Sequence, residues 1–171
     1  MFSASSSNSK TTQTALGYGL RILAKKDYTR NEMLEKMQEK GFGMEDITKT
    51  IIYLESKKFI DDKRVANNIV EFYGPSKGKI WLKGKMVMRK MNSLVMEEVI
   101  GNLGPETESM PENQLISLRR LLEGKFKIDD WDQIEYTSKA KVFQYLVRRG
   151  FTSPLSMIQK FKEIPNIKTF Q

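Results

Sequence analysis

Residues 29–42 read TRNEMLEKMQEKGF, and residues 138–151 read SKAKVFQYLVRRGF. Each begins with a hydroxyl residue, spaces its apolar residues for one helix face, and ends in a base followed by Gly and Phe. In the first, Thr29 and Glu32 form a capping box, Met33, Leu34 and Met37 form the apolar stripe, and Gly41 ends the helix as a left-handed C-cap. Phe42 then folds back onto the core. In the second, Val142, Phe143 and Leu146 form the stripe, and Gly150-Phe151 ends it in the same way. A helix stopped twice by the same device predicts a repeated module.

Working outward, Leu16, Leu20 and Leu23 share a face before the first quoted helix, and Ile47, Ile51 and Leu54 share one after it. The order is then helix, helix, Gly-Phe, helix. It recurs through Val65, Ile69 and Phe72, the breaker GPSKG at 74–78, the segment IWLKGKMVMRKM, and the stripe Met96, Ile100 and Leu103. In this middle copy Met91 is read at the place of the Gly. The stretch GPETESMPEN at 104–113 reads as a connector, with Ser109 and Glu112 able to cap the helix that follows. Leu115, Leu118 and Leu122 open a third copy. Asp129 to Asp132 are expected to start a short helix, and Ser153-Pro154 starts the last one, with Leu155, Ile158 and Phe161 as its stripe.

The expected organisation is all-α, with three tandem three-helix repeats in an elongated array. A disordered Ser/Thr-rich leader covers 1–14, the repeats cover 15–62, 63–103 and 114–171 with a C-terminal tail, and the connector covers 104–113. A unit this small buries little alone, so neighbouring copies are expected to share surfaces. Ten Met residues suit adaptable packing.

Composition narrows the chemistry. The chain has no His and no Cys, which excludes the usual zinc sites, imidazole bases, thiolate nucleophiles and disulfides. No apolar run reaches the length of a membrane span. GPSKGK at 74–79 fails as a phosphate loop, because three residues separate its glycines where four are needed and Ile80 stands where Ser or Thr would hold magnesium. Asp61-Asp62 and Asp129-Asp130-Trp131-Asp132 offer carboxylates for a metal-dependent nuclease, but helix starts explain them more simply. No catalytic residue, metal ligand or cofactor site is assigned.

What stands out is charge. The net charge is +8, yet Lys25 to Lys63 holds nine bases and nine acids. Phe72 to Met96 holds Lys77, Lys79, Lys83, Lys85, Arg89 and Lys90 and no acid, beside Phe72, Tyr73 and Trp81. From Tyr136 onward, Lys139, Lys141, Arg148, Arg149, Lys160, Lys162 and Lys168 face only Glu163. Bases interleaved with aromatics suit a surface that tracks phosphates and stacks exposed bases. The expected nucleic-acid or filament-binding set is Lys77, Lys79, Lys83, Lys85, Arg89, Lys90, Lys139, Lys141, Arg148 and Arg149.

The segments ALGYGLRILAKKDYTRNEMLEKMQEKGF, LESKKFIDDKRVANNIVEF and KAKVFQYLVRRGF, in this order and spacing, resemble the RecX regulatory proteins, bacterial modulators of the RecA recombinase. The middle copy departs from the family pattern, with RKMN in place of Lys-Gly-Ile. The resemblance implies three three-helix repeats in an elongated, curved chain. It also implies a cytoplasmic monomer without membrane attachment, whose partners are the RecA filament and single-stranded and double-stranded DNA. Such a protein would restrain ATP hydrolysis, strand exchange and filament extension in DNA repair, homologous recombination and the SOS response. The alternative left open is a stand-alone helical DNA- or RNA-binding protein with no recombinase target.

Overall fold

The computed structural model describes residues 14–165, so the expected leader, apart from Thr14, and Lys168 lie outside the described residues. Every regular element within that range is a helix: α1 Ala15–Leu23, α2 Arg30–Glu39, α3 Met44–Ser56, α4 Asp62–Tyr73, α5 Lys79–Met88, α6 Ser93–Asn102, the one-turn α7 Glu106–Ser109, α8 Glu112–Phe126, α9 Tyr136–Arg148 and α10 Pro154–Glu163. The helices enclose three separate apolar cores, and the chain forms two compact units that divide between Asp61 and Asp62.

In the first unit, α1, α2 and α3 close over Met33, Met37, Ile47, Ile51 and Leu54, all essentially without solvent exposure. The capping box is complete: Glu32 N donates to Thr29 Oγ1 at 3.2 Å, and Thr29 N donates to Glu32 Oε2 at 3.0 Å. Gly41 adopts φ +87° and Phe42 N donates to Met37 O, so the chain reverses and brings Phe42 against Tyr18, with ring centroids 5.6 Å apart.

The second unit carries two cores. Around the first, α4, α5 and α6 bury Val65, Ala66, Ile69, Leu82 and Met86. The same helix-ending device closes α5, with one correction to the register read from sequence. Lys90, not Met91, takes the left-handed place at φ 52°, donating to Val87 O as Gly41 donates to Gln38 O and Gly150 to Val147 O. Met91 occupies the place of the Phe: its N–H bonds to Met86 O, and its side chain is buried. A left-handed Lys is strained where Gly is not, and for that reason the sequence conceals the equivalence.

The other core, under α8, α9 and α10, is larger because the 127–135 connector adds Ile128 and Trp131 to it. Those residues form turns rather than the short helix expected at Asp129–Asp132. Trp131 is pulled inward, 5.1 Å from Phe161 between ring centroids, and its Nε1 donates to Glu123 Oε1 at 2.8 Å. The same carboxylate oxygen accepts from buried Arg119 Nε at 2.8 Å, while the Arg119 guanidinium also donates to the carbonyl of Ile164. Pro154 sits in the first turn of α10, as expected, although Ser153 makes no side-chain cap bond. Ser109 is the last residue of α7, and Pro111, not Ser109, is the cap residue of α8.

Four residues assigned to apolar stripes, Leu20, Phe72, Phe143 and Leu155, turn out exposed. Each lies at the edge of its helical stripe, where periodicity cannot distinguish a core residue from its neighbour on the rim.

Candidate polyanion-binding surface

The two cores of the second unit are joined through main chain. Gly78 N donates to Arg149 O at 2.9 Å and Ile80 N to Gly150 O at 3.1 Å, so the start of α5 is bonded to the end of α9. Between them, Lys79 N donates to Glu106 Oε1 at 2.8 Å. Glu106 Oε2 accepts from Thr152 N at 2.7 Å and from Thr152 Oγ1 at 3.0 Å. Buried Glu106 therefore ties α7, α5 and the turn after α9 together. The 104–113 segment thereby holds more structure than a plain linker. Three successive amides at the start of α5 are satisfied within the protein, so GPSKGK presents none of them to a phosphate.

This joint sets Lys77 beside Arg149. An open hollow of about 420 Å³ is lined by Lys77, Lys125, Tyr145, Arg148 and Arg149. The Tyr145 ring anchors it: the Arg149 guanidinium lies 5.0 Å from its centroid, and the Lys125 ammonium 5.7 Å. Phe126 meets the same ring edge-on at 5.9 Å. The Lys77 ammonium lies 4.7 Å from the Trp81 ring, and Arg149 approaches Ser76 O at 3.5 Å. Among the described residues none of these four cations is paired with a carboxylate. Burial, and then the neighbouring Arg149 charge, hold the Lys77 amine below the ordinary lysine value. Like charges gathered without a counter-charge are what an anion would relieve.

The expected binding residues do not form one face. Lys77, Arg148 and Arg149 converge on the hollow. Lys79 turns inward, its ammonium donating to Leu103 O. Lys85 lies 5.8 Å from the Tyr73 ring, within an aromatic row in which Tyr73 stands 4.8 Å from both Phe72 and Trp81. Lys83 and Lys90 are exposed on α5 and just beyond it, with Arg89 half-buried between helix and turn. Lys139 and Lys141 are exposed on the first half of α9. Sequence reasoning missed Lys125 and Tyr145. The only signal for Lys125 was GKFK at 124–127, a basic tetrapeptide just before the acids of the connector.

The carboxylates go elsewhere. Asp61 lies 3.7 Å from Lys58, Asp62 opens α4, and Asp130 Oδ1 accepts from Asp132 N at 2.8 Å in a turn. No cluster of three or more potential metal ligands occurs among the described residues. No helix among them is long and apolar enough to cross a membrane.

Comparison with known proteins matches residues 15–54 to the description "RecX, first three-helix domain". The chain is 28% identical over 149 residues to the "Regulatory protein RecX" of Pasteurella multocida (strain Pm70), covering 84% of each. It is 26% identical over 144 residues to the "Regulatory protein RecX" of Haemophilus influenzae (strain PittEE), covering 81% of this chain and 88% of that relative. The crystal structure of RecX from Lactobacillus salivarius superposes with a TM-score of 0.69 at 18% identity, over 87% of this chain and 92% of that one, a likeness of fold. Through its three-helix cores, its helix-ending turns and relatives aligned over most of its length, the chain is similar to the RecX regulatory proteins.

Proposed function

We propose that this protein restrains a RecA-type recombinase by binding its filament on DNA, limiting ATP hydrolysis, strand exchange and filament extension. The observation that carries the reading is the hollow at the joint of α5 and α9, where four cations drawn from three segments converge without a counter-charge. Polynucleotide phosphates supply anions at the density such a site needs, and their binding releases counterions. The protein acts as a cytoplasmic monomer and performs no chemistry of its own. A ligand that prefers one state of a filament shifts the population by its differential affinity alone. Single-stranded DNA in the filament is the principal nucleic-acid partner, with duplex DNA held by the same phosphate contacts.

The test is single-stranded-DNA-dependent ATP hydrolysis by RecA, measured with substoichiometric amounts of this protein. A fall in rate is expected. Unchanged hydrolysis at concentrations where the protein binds the oligonucleotide alone would refute the recombinase reading and leave a stand-alone nucleic-acid binder.

A further inference from the structure

α9 has two apolar faces, and among the described residues only one is covered by the core. Val142 and Leu146 are fully buried. On another side of the same helix, Tyr136, Ala140, Phe143 and Val147 follow each other at helical spacing. Tyr136 is 85% exposed, Phe143 37% and Val147 48%. This stripe runs about 16 Å along the helix, at the i, i+4, i+7, i+11 positions by which a helix enters a groove.

The module does not demand it. Aligned on Gly41 and Gly150, the same places in the first unit hold Asp27, ahead of α2, and Asn31, Leu34 and Gln38 within it, three of the four polar. The flanks of the stripe are basic. By helical position Lys139 borders one edge, while Gln144 and Arg148 border the other, with Lys141 beyond them, and α9 contains no acid.

We propose that this outer face of α9 docks into a protein groove with an apolar floor and carboxylates along its rims. The proposal rests on the filament reading, since the recombinase filament is the groove it commits to. Ala140 and Val147 offer no π-face, so the stripe suits packing better than base stacking. A second copy of this chain is disfavoured, because cations on both edges would meet cations. The face is separate from the hollow: only Arg148 lies near both, so the molecule holds phosphate with one surface of α9 and protein with another.

The experiment compares wild-type protein with the Tyr136→Ser/Phe143→Ser/Val147→Ser variant. A second variant, Tyr136→Ser/Val147→Ser, spares the partly packed Phe143. Binding is measured by fluorescence anisotropy to a labelled oligo(dT) strand, naked and coated with RecA. Expected is a loss of about ten-fold or more on the coated strand, in line with removing central apolar anchors, with naked-strand affinity unchanged. An equal loss on both strands overturns the proposal and makes the stripe a base-stacking surface. No loss on either overturns it outright. Wild-type protein that ignores the coated strand overturns the filament reading together with this one.

Discussion

Replacing Gly78 with Ala should break the joint that holds the hollow together. A methyl at Gly78 would lie 2.2 Å from the Gly150 carbonyl oxygen and 2.3 Å from Gly150 C and Phe151 N, all of them main-chain atoms that no rotamer change can move aside. The two strands of chain must separate, and with them go the 2.9 Å bond from Gly78 N to Arg149 O and the 3.1 Å bond from Ile80 N to Gly150 O. Two bonds at about 1 kcal/mol each, with an overpacking cost of about 1–3 kcal/mol, bring the loss to about 3–5 kcal/mol. The assay is urea unfolding followed by tryptophan fluorescence. Both Trp residues, Trp81 and Trp131, belong to the second unit, so the signal reports where the joint lies. The control is Gly84→Ala, in the exposed middle of α5 with nothing within 4 Å of the new methyl. It should stabilise by about 0.5–1 kcal/mol, because Ala is the better helix former. A Gly78→Ala variant as stable as wild type would refute the reasoning: the close approach would not exist in solution.

Other perturbations bear on the same region. Changing Lys77, Lys125 and Arg148 to Gln should weaken single-stranded DNA binding and make the slope of log K against log salt shallower by about 2, whereas Gln at Lys49, Lys57 and Lys58 should leave it unaltered; equal slopes would remove the hollow from the interface. Glu106→Gln puts an amide donor among the Lys79, Thr152 amide and Thr152 hydroxyl donors, and should cost about 1–3 kcal/mol in the same urea assay. Because the folded-state pKa of Lys77 is lowered, the unfolded chain binds the extra proton between that value and 10.5. Stability should therefore rise with pH across that window, less so in Lys77→Gln, as read by thermal melts. Leu146→Ala, at a fully buried site, should cost about 2–5 kcal/mol.

The helical modules were legible because their signals are local. Thr29 and Glu32 cap each other within four residues, and Gly41 and Gly150 announce left-handed turns that few other residues enter cheaply. The middle copy misled for a physical reason: Lys90 tolerates the same backbone angle under strain, so the residue type no longer reports the conformation. The basic composition of the second and third copies was equally plain, but its geometry was not. Lys77 and Arg149 are seventy-two positions apart in the sequence, and main-chain bonds from Gly78 and Ile80 bring them together. Lys79 looked like part of the same basic run, yet its ammonium serves Leu103 O. Phe143 fitted the core stripe by spacing and lies on its rim, and only packing could decide that.

The joint of α5 with α9 has a consequence for how such a chain can change. Apart from the Glu106 carboxylate, Thr152 and the long contact of the Arg149 guanidinium with Ser76 O, its bonds run between peptide groups, and its steric requirement falls on two residues without side chains, Gly78 and Gly150. Three of the charges around the hollow take no part in it: Lys77, Lys125 and Arg148 can be exchanged without loosening the joint they surround. If the hollow binds phosphates as proposed, affinity and architecture are separately adjustable, and surface substitutions alone would tune binding while the two cores stay locked in the same relation.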